Sequence, residues 1–154
     1  MKTWLALVVA AVTLPAQEIT VSGTRFLVDG KPFPFTGVSF FNAIYNRPFN
    51  ESEEARRQWL RKFARYGINV LRVWAQWDNP RGFVDSCPTC TLYHSDGSLR
   101  QEHLATLKAL LGAAAAESFV IELTLFSQES WRAGIRLQEA AMERAVEQLA
   151  RELM

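Results

Sequence analysis

The amino-acid sequence predicts an α/β fold built on a parallel sheet, and three observations support that reading. Three largely apolar runs of strand length, PFTGVSFF (34–41), INVLRVWA (68–75) and FVIELTLF (119–126), are each followed by a segment whose apolar residues recur at helical spacing. The order strand then helix occurs three times, as parallel strands with helical crossovers require. Polar residues inside the strands collect on one face, because successive side chains of a strand point to opposite sides. Arg72 lies with Val70 and Trp74, opposite Leu71, Val73 and Ala75, while Glu122 and Thr124 lie with Val120 and Phe126, opposite Phe119, Ile121, Leu123 and Leu125. Such a sheet is either open and doubly wound or closed into an eight-stranded barrel.

Composition narrows the classes of function. The chain has 154 residues, a formal charge of +1 and 49% hydrophobic residues, enough for one globular domain with a core. The near-neutral balance provides no basic stripe for phosphate binding, so nucleic acid is not expected as a partner. Aromatic residues make up 12%, which suits a sugar-binding cleft and core packing equally.

Residues 1–17 read as a secretory signal. Met1 and Lys2 give a positive start, and WLALVVAAVTL is an apolar run too short to span a bilayer, with cleavage expected after Ala16. The protein is therefore expected to be secreted or periplasmic, with no membrane association after cleavage, a retained membrane anchor being the competing reading. Residues 18–154 are expected to form the folded part. EITVSGTRFLVDGKPF reads as a short β-hairpin turning at Ser22 and Gly23, with a second turn at Asp29 and Gly30. The run 34–41 is apolar enough to be a strand covered on both faces.

The first helix is expected to be capped by Asn50 with Glu53 in the reciprocal position, to bury Ala55, Trp59, Leu60 and Phe63, and to stop at Gly67. Asn50, Glu51 and Ser52 also fit the glycosylation acceptor pattern, but capping requires no assumption about the host. The second helix is expected to open at Ser98 with Gln101 and to bury Leu104, Leu107, Leu111 and Ala114. A last helix is expected from about Ile135 to the terminus, with Leu137, Ala141, Ala145, Leu149 and Leu153 on one face.

Arg72 is the residue that asks for explanation. Its apolar neighbours predict burial, a buried guanidinium is costly unless paired, and Glu122 on the same face of the next strand is the expected partner. A plain structural ion pair satisfies that pattern as well as a functional site does. Cys87 and Cys90, in CPTC, are expected to form a local disulfide in an exported protein. A redox pair would open a helix after a strand, whereas TLYHSDG follows here, and zinc would need more than His94 and His103 at their present spacings. No dinucleotide fingerprint, G-x-S-x-G elbow or H-E-x-x-H helix is present, so neither cofactor nor metal is expected.

Three stretches together, SGTRFLVDGKPFPFTGVSFF, RKFARYGINVLRVWAQWD and FVIELTLFS, resemble the opening of a cellulase-like glycoside hydrolase of family 5, over about residues 19 to 154. The resemblance implies the N-terminal part of a (β/α)₈ barrel that hydrolyses a β-linked polysaccharide or oligosaccharide by a retaining mechanism. It implies that Arg72 orients the nucleophilic carboxylate, since a guanidinium is a planar fork of donors that keeps a carboxylate ionised. It further implies that Trp74 and Trp77 offer flat apolar faces to sugar rings, that Asp78 accepts from sugar hydroxyls or caps its loop, and that Gln128, Glu129 and Trp131 border the cleft.

Two departures accompany it. Thr124 stands where many members carry a histidine. Glu129 is not the family's acid, which follows a fourth strand, while the nucleophile follows a seventh. A barrel of this kind has about 250 residues, so the sequence is expected to be the front of a longer enzyme, inactive and poorly stable by itself unless it dimerises. Two other classes remain: a non-catalytic carbohydrate- or protein-binding α/β domain, and an oxidoreductase using CPTC.

Overall fold

The computed structural model describes residues 18–79 and 85–154, so the expected signal at 1–17 lies outside the described residues. The chain divides into two compact units, residues up to Pro34 and Phe35–Met154.

Turn chemistry builds the first unit. Strands β1 (Ile19–Ser22), β2 (Arg25–Val28) and β3 (Lys31–Pro32) form an antiparallel sheet in that order. Ser22 pairs with Arg25 across a two-residue turn whose first residue, Gly23, has φ +60°. Val28 pairs with Lys31 across Asp29 and Gly30, at φ +50° and +74°, the two positive values that a tight hairpin turn matching strand twist needs. The expected hairpin thus gains a third short strand.

In the second unit, β4 (Gly37–Ser39), β5 (Val70–Trp74) and β6 (Val120–Thr124) form a parallel sheet in the order β4-β5-β6. Helices α1 (Glu53–Arg65) and α2 (Gln101–Ala116) supply the crossovers, and α3 (Gln128–Arg132) and α4 (Glu139–Leu153) follow β6. The fold is therefore mixed α/β as expected, and the sheet does not close into a barrel. Helix α1 packs on α2, and α2 on β6. Leu71 and Val73 of β5 are fully buried with Leu60, Leu107, Leu110 and Phe49, while Arg72 between them is exposed. One face of β5 thus makes the core and the other does not.

The helix ends correct several sequence expectations. Ser52, not Asn50, caps α1: its Oγ accepts from Ala55 N at 3.0 Å. Asn50 instead donates its side-chain amide to the carbonyls of Ala43, Ile44 and Asn46, which fixes the turns before the helix. The expected stop at Gly67 holds, with φ +74°, Gly67 N bonded to Ala64 O and Ile68 N to Phe63 O. Trp59 is exposed beneath Lys62 Nζ rather than buried, because Leu60 and Phe63 point into the core and Trp59 lies outside that stripe. Ser98 does not cap α2, since its hydroxyl and amide both go to Asp96 Oδ1. Arg100 occupies the cap position without a side-chain bond.

The last helix begins at Glu139, not Ile135. The segment between β6 and that helix contains α3, capped by Ser127 Oγ accepting from Ser130 N and ended by Gly134 at φ +78°. Strand β4, paired on one side with β5, is also unlike its expectation: all three residues are exposed, so neither of its faces is covered.

Candidate functional site

Parallel strands end together, so the segments following β4, β5 and β6 gather at one rim of the sheet, where open α/β sheets place their ligands. The residues singled out in the sequence lie either on the exposed face of the strands or in these segments.

On the exposed face, Ser39, Arg72 and Glu122 stand in one row across the three strands, in register. Arg72 Nε lies 3.1 Å from Glu122 Oε1 and donates to Thr124 Oγ1 at 3.2 Å. The expected partner is therefore found, but the expected burial is not: the side chains of Arg72 and Glu122 are 48% and 59% exposed. Exposure explains why the guanidinium is tolerated among apolar neighbours, since water solvates what the carboxylate does not.

The tryptophans are held differently. Trp74 is half-buried against Phe41, 4.3 Å between ring centroids, and 6.0 Å from Trp77. Trp77 is buried, stacks with Phe41 at 6.1 Å, and donates its indole Nε1 to Asp85 Oδ1 at 2.8 Å. Phe41, Trp74 and Trp77 thus form one aromatic wall spanning the ends of β4 and β5.

Asp78 turns inward. It is 4% exposed and accepts from Ser130 Oγ at 2.5 Å, tying the end of β5 to α3. Burial raises its carboxyl above the usual carboxylate value, and the Ser130 hydroxyl opposes that rise. Asn79 Nδ2 donates to Glu129 O at 3.1 Å and Gln76 Oε1 accepts from Ser127 N at 2.9 Å, so with Asp78 three polar contacts seat α3 on the β5 end. The Glu129 carboxylate pairs with Arg132 at 3.2 Å, Gln128 is exposed, and Trp131 is 47% exposed beneath the Arg136 guanidinium at 4.8 Å. The sequence reading named Asp78 and Glu129 but missed Gln76, Asn79, Ser127 and Ser130. Their signal was the S-x-x-S spacing of a capped helix start at Ser127.

The loop after β5 is clasped by its own sequence. Cys87 and Cys90 form a disulfide, Cys90 O accepts from Trp77 N at 2.7 Å, and Leu92 N donates to Ala75 O at 2.9 Å. His103 Nε2 is 2.9 Å from Thr89 O, which fastens the disulfide loop to α2. Deeper in, the hydroxyls of Tyr45 and Tyr93 donate to Ala75 O and Leu125 O, and burial raises both phenols. Among the described residues, no group of three or more His, Cys, Asp or Glu side chains is placed to hold a metal ion.

No protein-family description and no curated protein matches the chain.

Proposed function

We propose that the second unit provides the first three β-α units of a (β/α)₈ barrel in a retaining glycoside hydrolase, with a β-linked polysaccharide or oligosaccharide as substrate. The observation that carries this reading is the row Ser39, Arg72 and Glu122 on the face opposite the helices. In a barrel that face is the interior, and the rim beyond the strand ends is where catalysis is carried out. The outer edge of β6 also has no strand partner among the described residues. A groove of about 650 Å³, lined by Phe126 and by Glu139, Met142, Glu143, Val146 and Glu147 of α4, lies beyond the end of β6.

In this reading Arg72 is a positioning residue for a nucleophilic carboxylate carried on a later strand, and Glu122 holds the guanidinium in the meantime. Retaining hydrolysis needs two carboxyl groups about 5 Å apart. By the family resemblance neither belongs to these three units. Export, suggested by residues 1–17, agrees with the disulfide. Water supplies the second substrate and no cofactor is required.

One observation favours the second reading, a non-catalytic binding domain: Arg72 is already answered by Glu122 within its own sheet. The two separate in a hydrolysis assay on soluble β-glucan and β-mannan using the gene product from its native source. The glycosidase reading expects turnover that Arg72→Ala lowers by roughly 10²–10³ in kcat, the usual loss of one electrostatic donor. Absence of turnover in that product, or turnover by the isolated 154 residues, overturns it.

A further inference from the structure

Asn42 and Asp85, neither of which the sequence reading singled out, meet at the same rim from different elements. Asn42 follows β4 by three residues, and its Nδ2 donates to Asp85 Oδ2. The other oxygen, Asp85 Oδ1, accepts from Trp77 Nε1 at 2.8 Å. One carboxylate therefore joins the segment after β4 to the aromatic wall after β5.

The Asp85 side of this contact is braced. Ser86 Oγ donates to Asn79 O at 2.7 Å, and the Cys87–Cys90 disulfide begins two residues after Asp85. Cys90 O holds Trp77 N at 2.7 Å, so the indole and the carboxylate are fixed to the same clasp. Yet Asp85 is exposed. A carboxylate has about four lone-pair sites, of which the two donors use one on each oxygen, and the remainder point toward solvent beside an amide that can both donate and accept. Two acceptors and an amide at fixed spacing form a pattern that answers neighbouring hydroxyl groups on a ring, and the half-buried Phe41 and Trp74 are the accessible part of the wall for its C–H side.

We propose that Asn42 and Asp85 form a hydroxyl-recognising pair for a saccharide, with Asp85 accepting hydrogen bonds from ring hydroxyls while it holds Trp77 in place. This rests on the carbohydrate reading of the rim but not on hydrolysis. Because the pair is held before any ligand arrives, little ordering cost accompanies binding.

The test is a titration of the 154-residue chain with cellohexaose, mannohexaose and their fully O-methylated forms, read by tryptophan fluorescence. The unmodified chain is expected to bind at least one free-hydroxyl hexaose saturably and to bind its methylated form at least tenfold more weakly. Asp85→Ala is expected to lose that preference and about tenfold in affinity. Asp85→Asn, which keeps one acceptor and the side-chain size, is expected to lose less. If Asp85→Ala fails to fold, Asp85→Asn and Asn42→Ala give the same comparison. A purely structural clamp would weaken both forms of the probe alike, and that result overturns the proposal, as does undiminished binding by the variants. Undiminished binding leaves the glycosidase reading standing, whereas no binding of any hexaose overturns the pair and leaves hydrolysis to its own assay.

Discussion

Arg72 and Glu122 face each other in register on adjacent parallel strands, 3.1 Å apart, on the side of the sheet away from the helices. Both side chains are about half exposed, so solvent and salt screen their attraction. A double-mutant cycle with Arg72→Ala and Glu122→Ala is expected to give a coupling below about 1 kcal/mol, shrinking as salt rises. A coupling of several kcal/mol that ignores salt would mean that the pair is covered in solution.

Glu117 presents the opposite case, a carboxylate gripped by two arginines. Arg57 Nε reaches its Oε1 at 2.8 Å and Arg61 Nη2 at 3.0 Å, joining α1 to the end of α2. The hydrogen bonds from Arg61 and then Arg57 hold this carboxyl below its usual value. The folded state thus binds the proton less tightly than the unfolded chain does. The resulting stability is present above the unfolded value, about 4.3, and is lost as pH falls through the folded value. Glu117→Gln should lower the melting temperature at pH 7, and the gap to the unmodified chain should narrow below pH 4. A gap that stays constant with pH would refute the linkage.

Asp78 runs the other way. Burial raises its carboxyl, so the folded state binds the proton more tightly, and its contribution declines as pH rises from about 3.9 through the folded value. Asp78→Asn retains an oxygen for the Ser130 hydroxyl and removes the buried charge. It should be as stable as the unmodified chain or more stable at pH 7, with no advantage at pH 3. A loss above about 1 kcal/mol at pH 7 would show that the charge has partners stronger than one hydroxyl.

Gly97 and Gly112 make a matched pair of glycine tests. A Cβ on Gly97, at φ +83°, would lie 2.0 Å from Ala141 O on α4, whereas one on Gly112 inside α2 would meet nothing within 4 Å. Gly97→Ala should therefore cost roughly 2–3 kcal/mol, and Gly112→Ala should gain up to about 1 kcal/mol. Chemical denaturation of the two variants measures both, and equal effects would contradict the close packing of the 94–98 turn on α4.

Disulfide reduction offers a check on the clasp. Since Cys90 O holds Trp77 N and Asp85 holds the Trp77 indole, opening Cys87–Cys90 should shift the tryptophan emission of the folded chain. Unchanged emission with the disulfide open would show that the loop is held by its backbone bonds alone.

Much of the fold was legible because its signals are local. The Gly67 stop, the paired turns at Gly23 and Asp29–Gly30, and the parallel alternation follow from φ preferences and periodicity that neighbouring residues carry with them. The Arg72–Glu122 pair was legible for the same reason: a period of two places both on one face, and register does the rest. Cap identity was less secure, since Asn50 and Ser52 are both good caps and only the path of the chain before α1 sends the Asn50 amide to three carbonyls. Helix α3 was missed although Ser127 and Gly134 flank it, because five residues are too few for a periodic pattern.

By itself, then, the sequence determined the α/β class, the strand faces and the disulfide partners, all consequences of short-range geometry. Only the tertiary structure decided which side chains are buried and which contacts cross between elements. It exposed Arg72 and all of β4, turned Asp78 inward to Ser130, and brought Asn42, Trp77 and Asp85 together. Those outcomes depend on how loops of distant sequence meet at one rim, and no local preference encodes that meeting.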